Sequence, residues 1–265
     1  MNSEAAKLLG AKPLRPENST HFSAGVVIDV PRLPTVTADF FAMRIDDRIS
    51  TTNEFLGPQV EQIFADHGMR GIVGGRYAAN LVDTKTSGVD IVANHAVQVG
   101  AVRWRLTGGV NVVRTRVTRV APPPPGFTGY DSVLLNRAQR GAFEKGQPRQ
   151  TILLTNHFSI GRFGVNLHHQ RFGEAWLLDV SDPAYDQTVS AKWLTDLNVS
   201  YRMGPRMSIT ASAANLFDVY PDEWNDFKFG LEATGMSNRG IFRYPGGISP
   251  FGMNGRTLYF HVLWK

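Results

Sequence analysis

In the stretch VRWRLTGGVNVV, residues 102–113, Trp104, Leu106, Gly108, Val110 and Val112 alternate with Arg103, Arg105, Thr107, Gly109 and Asn111. Side-chain direction reverses at each residue of a strand, so this pattern gives one apolar and one polar face. An amphipathic helix would repeat at three and four residues instead. The period of two recurs along the chain. Phe22, Ala24, Val26 and Ile28 oppose His21, Ser23 and Asp29; Val36, Ala38, Phe40 and Ala42 follow after the turn PRLPT; Val89, Ile91 and Ala93 oppose Asp90, Val92 and Asn94. Later, Trp193, Leu197, Val199 and Tyr201 oppose Leu194, Asp196, Asn198 and Ser200, and Ile209, Ala211, Ala213 and Phe217 oppose Ser208, Thr210 and Ser212. Two blurred strands are expected at 150–158 and 163–172.

About nine strands result, and their connections alternate between short and long. Short turns lie near PRLPT, Gly100, IGR and MGPR; long ones cover 46–77, 121–146 and 218–254. Leu56, Val60, Ile63 and Phe64 are expected to line one face of a short helix in the first long connection. A soluble sandwich seldom puts every connection of about 10 to 35 residues at one end and every connection of about 2 to 6 at the other. Outer-membrane barrels do so, with long external loops and short periplasmic turns. The expected fold is therefore all-β: an antiparallel meander forming part of a barrel.

Composition is consistent with that class. The 265 residues are 42% hydrophobic with 16 Phe and 26 Gly, a mix that suits strands and turns. Cys is absent, which excludes disulfides and thiolate metal sites. The formal charge of +5 comes from Arg scattered through the chain rather than from a basic block, which argues against a nucleic-acid partner. No apolar run of about 18 residues exists, which rules out a membrane helix but not barrel strands of about 9 to 11 residues. The first residues show no basic region followed by an apolar one, so no signal peptide is read there.

The chain closes on SPFGMNGRTLYFHVLWK, residues 249–265, where Leu258, Phe260, Val262 and Trp264 share a face. An apolar edge strand is an aggregation hazard unless something covers it. Together with KWLTDLNVSYRMGPRMSITASAANLFDVYPDEW, residues 192–224, this run resembles the C-terminal barrel strands of TonB-dependent outer-membrane receptors. Asn215, Leu216, Phe217 and Asp218, with Tyr220 and Pro221, resemble the family's passage before the last hairpin. Asn254, Gly255 and Arg256 resemble its entry to the closing strand, where Tyr259, Phe260, Val262 and Trp264 follow. Upstream, LRPENSTHFSAGVV, TADFFAMRIDDRI, LVDTKTSGVDIVAN and RAQRGAFEKGQPRQ resemble further strands and a helical loop, so the likeness spans 14–265.

The resemblance implies a Gram-negative outer-membrane location and lipid contact. It also implies recognition of the terminal aromatic pattern by the barrel assembly machinery, and closure by pairing of the last strand with the first. Lys265 departs from the family's aromatic terminus and weakens that signal. Residues 1–265 then form one incomplete domain without the plug or the TonB-binding box, so TonB would act only through a missing N-terminal region. The expected function is a share in TonB-dependent uptake of a ligand such as a metal chelate, vitamin or carbohydrate. The alternative is a soluble all-β binding module.

No catalytic constellation, cofactor site or metal site is expected. His168 and His169 are neighbours on a strand and point to opposite faces, so they cannot share an ion. Asp46 with Asp47, and Asp182 with Asp186, lack calcium-loop spacing and read as solvated loop charge. Pro122 to Pro125 read as a stiffener of an external turn. Trp104, Leu106, Val110, Trp193, Leu197, Val199, Phe260 and Val262 are expected to face lipid. Arg105, Asn111, Asp196, Asn198 and Ser208 are expected to face the lumen.

Overall fold

The structure is a computed structural model that describes residues 3–224, 243–245 and 247–264. Much of the expected last connection, and Lys265, lie outside the described residues. The strands are β1 (Asn18–Ile28), β2 (Thr35–Thr51), β3 (Phe55–Leu56), β4 (Gly74–Gly75), β5 (Ala78–Val99), β6 (Val102–Val120) and β7 (Gln150–Ile160). They continue with β8 (Phe163–Phe172), β9 (Ala175–Leu177), β10 (Gln187–Val189), β11 (Lys192–Arg202), β12 (Met207–Ala214) and β13 (Thr257–Trp264). Among the described residues four short α-helices, α1 (Glu4–Leu8), α2 (Pro58–Asp66), α3 (Asp131–Leu134) and α4 (Arg137–Glu144), and a 3-10 turn at Pro183–Tyr185 all lie outside the strands. Among the described residues no helix is long and apolar enough to cross a membrane.

Nine strands form one sheet in the order β1-β2-β5-β6-β7-β8-β11-β12-β13, each antiparallel to its neighbours. This is the expected meander. Two-stranded sheets β3-β4 and β9-β10 sit within long connections. The tight turns after β5 and β7 contain Gly100 at φ 58 and Gly161 at φ 55, a left-handed conformation that glycine adopts without a Cβ penalty. Long connections follow β2, β6, β8 and β12, so they gather at the opposite end of the sheet. Strands β1 and β13 each pair along one side only, and the sheet is open.

Register fixes the two faces. Directly paired residues point the same way. One row runs Val26, Ala38, Ile91, Val110, Ile152, Arg171, Trp193. Another runs Trp104, Phe158, Val165, Val199, Ala211, Phe260 on the same face. The opposite face carries Arg105, His157, Asn166, Asn198, Ser212 and Tyr259 in one row. Every residue of the expected apolar set therefore shares one face, and every residue of the expected polar set shares the other. Phe22 at 61%, Val26 at 55%, Phe260 at 65% and Trp264 at 72% exposure show that nothing among the described residues covers the apolar face.

Toward the long connections that face also carries Lys85, Arg114 and Arg116, and near its middle two polar pairs form. Trp104 Nε1 donates to Asn156 Oδ1 at 3.0 Å, and His169 Nδ1 lies 2.9 Å from Thr195 Oγ1. His168 Nδ1 meets Thr155 Oγ1 at 2.9 Å on the other face, so the histidine pair is split as its strand position requires. The polar face is laced similarly: Thr107 Oγ1 donates to Asn94 Oδ1 at 2.8 Å, and Ser212 Oγ to Asn198 Oδ1 at 2.7 Å.

The main hydrophobic cluster lies at the end of the long connections, not across the sheet. Leu9, Phe55, Phe64, Tyr77, Leu81 and Phe127 bury almost completely against one another. Full burial of side chains of this size contributes about 1.5–3 kcal/mol each. Helix α2 starts with Pro58 in its first turn and buries Val60 and Phe64. Leu56, expected on the same helical face, instead lies in β3 and is 51% exposed. The helix begins only at Pro58, which sits without penalty in a first turn but leaves Leu56 outside it.

Candidate functional site

Two assemblies position the residues singled out by sequence: the layer of long connections, and the junction between β12 and β13. The layer is organised by α4. Asn136 caps it by accepting from Gln139 N at 2.8 Å while Gln139 Oε1 accepts from Asn136 N at 3.0 Å, a reciprocal capping box. Its side chains then reach the end of β2, β6 and one connection. Gln139 Nε2 donates to Thr51 O at 3.0 Å, Glu144 Oε1 accepts from Val117 N at 3.0 Å, and Arg137 grips the segment between β9 and β10.

That grip is bidentate. Arg137 Nη1 and Nη2 each donate to one oxygen of Asp186 at 2.6 Å, and Nη1 also donates to Asp179 O at 2.8 Å. Paired, fork-like bonds of this kind are among the stronger polar contacts in proteins. The guanidinium holds the Asp186 carboxyl below the usual carboxylate range, against the opposing effect of burial. Asp182 caps the short turn after it by accepting from Ala184 N at 2.8 Å.

A second charged knot ties the start of the chain to the sheet. Asp47 accepts from Arg15 at 2.9 Å and from Arg119 at 3.0 Å, and Arg119 also donates to both oxygens of Asp83 at 2.6 and 2.8 Å. Asp47 sits at φ 55 in a β-bulge of β2, which turns its carboxylate toward these arginines. The expectation of solvated charge is thus corrected at Asp47 and Asp186, whereas Asp46 stays in an exposed pair. Asp46 pairs with Arg44 at 2.6 Å, and the other two are anchored by arginines remote in sequence. Pro122 to Pro125 form one wall of a cleft of about 580 Å³ whose other sides include Lys12, Arg15, Tyr77 and Arg119. Among the described residues no group of three or more potential metal ligands occurs.

At the second assembly the family-like motif residues meet. Asn215, at φ 50, takes the bond from Val219 N at 2.9 Å and gives one to Val219 O at 2.7 Å, which closes a tight turn at the end of β12. Leu216 N donates to Thr195 O at 2.7 Å and anchors that turn on β11. Asp218, at φ 58, accepts from Arg256 N at 2.7 Å and from Tyr220 Oη at 3.2 Å; Arg256 Nη1 donates to Leu216 O at 3.3 Å. Gly255 packs so closely that a Cβ would overlap the Tyr220 hydroxyl and Asp218. Phe217 is 68% exposed and Asn254 is exposed. Beyond the junction, Tyr259 pairs with Ser212 on the polar face, while Phe260, Val262 and Trp264 lie exposed on the apolar face.

The sequence reading missed α1 and the role of Leu9, which is 1% exposed and sits within the loop-layer cluster. The one available signal was Ser3 followed by Glu4 and an Ala-rich turn; Ser3 caps the helix by accepting from Ala6 N at 3.2 Å.

Comparison with known proteins places this geometry. A family model described as TonB dependent receptor-like, beta-barrel, matches residues 2–216. No curated protein sequence matches the chain. Among solved structures, the chain is similar to the ferripyoverdine receptor of the outer membrane of Pseudomonas aeruginosa, with a TM-score of 0.57 and 14% identity over 96% of this chain and 28% of that one. It is similar to the ferric-catecholate import receptor Fiu from E. coli K12, with a TM-score of 0.56 and 14% identity over 94% of this chain and 28% of that one. It is also similar to the outer membrane transporter YddB from Escherichia coli, with a TM-score of 0.60 and 12% identity over 95% of this chain and 33% of that one. The chain thus spans about a third or less of the length of these structures.

Proposed function

The chain belongs to the TonB-dependent receptor-like β-barrel family, and from that premise we propose that it supplies barrel wall and external loops to an outer-membrane receptor. That receptor takes up a ligand such as a metal chelate, vitamin or carbohydrate, with TonB driving uptake through parts outside these residues. The single observation that carries the reading is the two-sided sheet: a continuous, uncovered apolar face backed by a hydrogen-bonded polar face, with all long connections at one end. Of the three ligand classes a ferric chelate is favoured, because the ferripyoverdine and ferric-catecholate receptors share this fold.

Within this reading Trp104, Val110, Val199 and Phe260 contact lipid, and Arg105, Asn111 and Asn198 line the lumen. The junction at Asn215, Asp218, Gly255 and Arg256 sets the path of β13. Phe260, Val262 and Trp264 present the aromatic pattern to the assembly machinery, and the free edge of β13 takes part in closing the barrel. The test is fractionation of cells expressing the whole protein that contains this chain. Recovery in the outer membrane, release only by detergent and loss of ferric-chelate uptake on deletion are the expected results. Recovery as a detergent-independent soluble protein would instead support a soluble all-β binding module.

A further inference from the structure

Where the apolar face meets the loop layer, beside the ends of β7 and β8, lies a cleft of about 410 Å³. Lys145, Arg149 and Arg171 line it together with Trp176 and one carboxylate, Glu174. Arg171 belongs to the apolar face: it pairs with Ile152 on one side and Trp193 on the other, next to the last residue of β8. Trp193 is 48% exposed there.

None of the three cations makes an ion pair among the described residues. Arg171 Nη1 donates to the neutral Gln150 Oε1 at 3.1 Å, Arg149 Nη2 donates to Glu144 O at 3.1 Å, and Lys145 Nζ stands 5.2 Å from the centre of the Trp176 ring. The lining holds three cations and one carboxylate and is net positive, with Asp186 acting on Lys145 from outside it.

An arginine on a lipid-facing surface is costly at mid-bilayer and nearly free at the interface. Aromatic residues mark that same level, and lipid headgroup phosphates lie there. Guanidinium groups match phosphate oxygens two at a time, whereas an ammonium acts as a point charge. Because Arg171 shares its face with Ile152 and Trp193, the cleft opens toward lipid rather than toward the lumen.

We propose that Lys145, Arg149 and Arg171 bind the phosphate headgroup of an outer-leaflet lipid and fix the external rim of the barrel in the membrane. The inference rests on the outer-membrane reading above.

The experiment uses the whole outer-membrane protein that contains this chain, purified in a non-ionic detergent. It is titrated with a diphosphorylated glucosamine-disaccharide lipid, with the same lipid lacking phosphates, and with inorganic phosphate, at low and high salt. The phosphorylated lipid should bind, more weakly at high salt. Combining Lys145→Gln, Arg149→Gln and Arg171→Gln should weaken binding by about tenfold to a hundredfold. Arg103→Gln with Arg105→Gln, on the polar face, should leave it unchanged. Lys145→Gln with Arg149→Gln, both outside the strands, provides the same reading should the Arg171 change disturb folding.

Equal binding of phosphorylated and phosphate-free lipid, or of wild type and variants, would overturn the proposal. So would inorganic phosphate binding as tightly as the lipid. Absence of the protein from outer membranes before any titration would overturn the receptor reading and this inference together, whereas correct localisation with phosphate-indifferent binding would overturn this inference alone.

Discussion

At the scale of single residues, Gly255 shows how little room the β12–β13 junction leaves. It adopts φ 69 and faces the Tyr220 hydroxyl and Asp218. Gly255→Ala should therefore destabilise the junction by about 1–3 kcal/mol, read as a lower denaturant midpoint. Gly204→Ala, in open space at an ordinary φ, should be neutral. The Arg137–Asp186 grip gives a pH signature. The folded carboxyl is held below its free value, so its stabilisation is full above about pH 4 and is lost as pH falls through the folded pKa. Thermal stability of the loop layer should drop as pH falls below about 4 in wild type, and less steeply in Asp186→Asn; parallel curves would remove the pair as the cause. The motif Asn215 to Asp218 was legible because its residues lie together in the sequence. The pairs Arg137–Asp186 and Arg119–Asp83 were not, since bonds between remote charged residues leave no periodic trace.

At the scale of elements, alternation made all nine strands of the sheet readable, including β8 at its exact limits. It understated β2, β5 and β6. These run on past the apolar stretch to Thr51, back to Ala78 and on to Val120, where charged and hydroxyl residues hide the period and a bulge near Asp47 interrupts it. The helix at 58–66 was legible from its apolar spacing, whereas α1 has one turn only and too little pattern to detect. The face assignment has a direct consequence. Val110 and Asn111 are neighbours on β6 with opposite directions. Val110→Arg should cost about 2–4 kcal/mol near the middle of the bilayer, and Asn111→Arg should be tolerated. Outer-membrane yield and the unfolding midpoint of the two variants give the comparison, and equal losses would defeat the assignment.

At the scale of the whole molecule, the open sheet sets the terms. β1 is paired only with β2, and β13 only with β12, so two rows of backbone donors and acceptors have no partner in the sheet. Each such group in hydrocarbon costs several kcal/mol, which is why membrane-spanning sheets close. In water the same sheet would expose Phe22, Phe40, Trp193 and Phe260 on one face, an area no element among the described residues covers. Neither solvent suits these residues as an isolated sheet. Expressed alone behind an export signal, residues 1–265 should be degraded or aggregate rather than yield a heat-modifiable, protease-resistant monomer. Co-expression with further strands of the proposed receptor should restore that species. A stable monomer of these residues alone would mean that β1 and β13 can meet around a small barrel, and the two rows of unpaired groups would then have found each other.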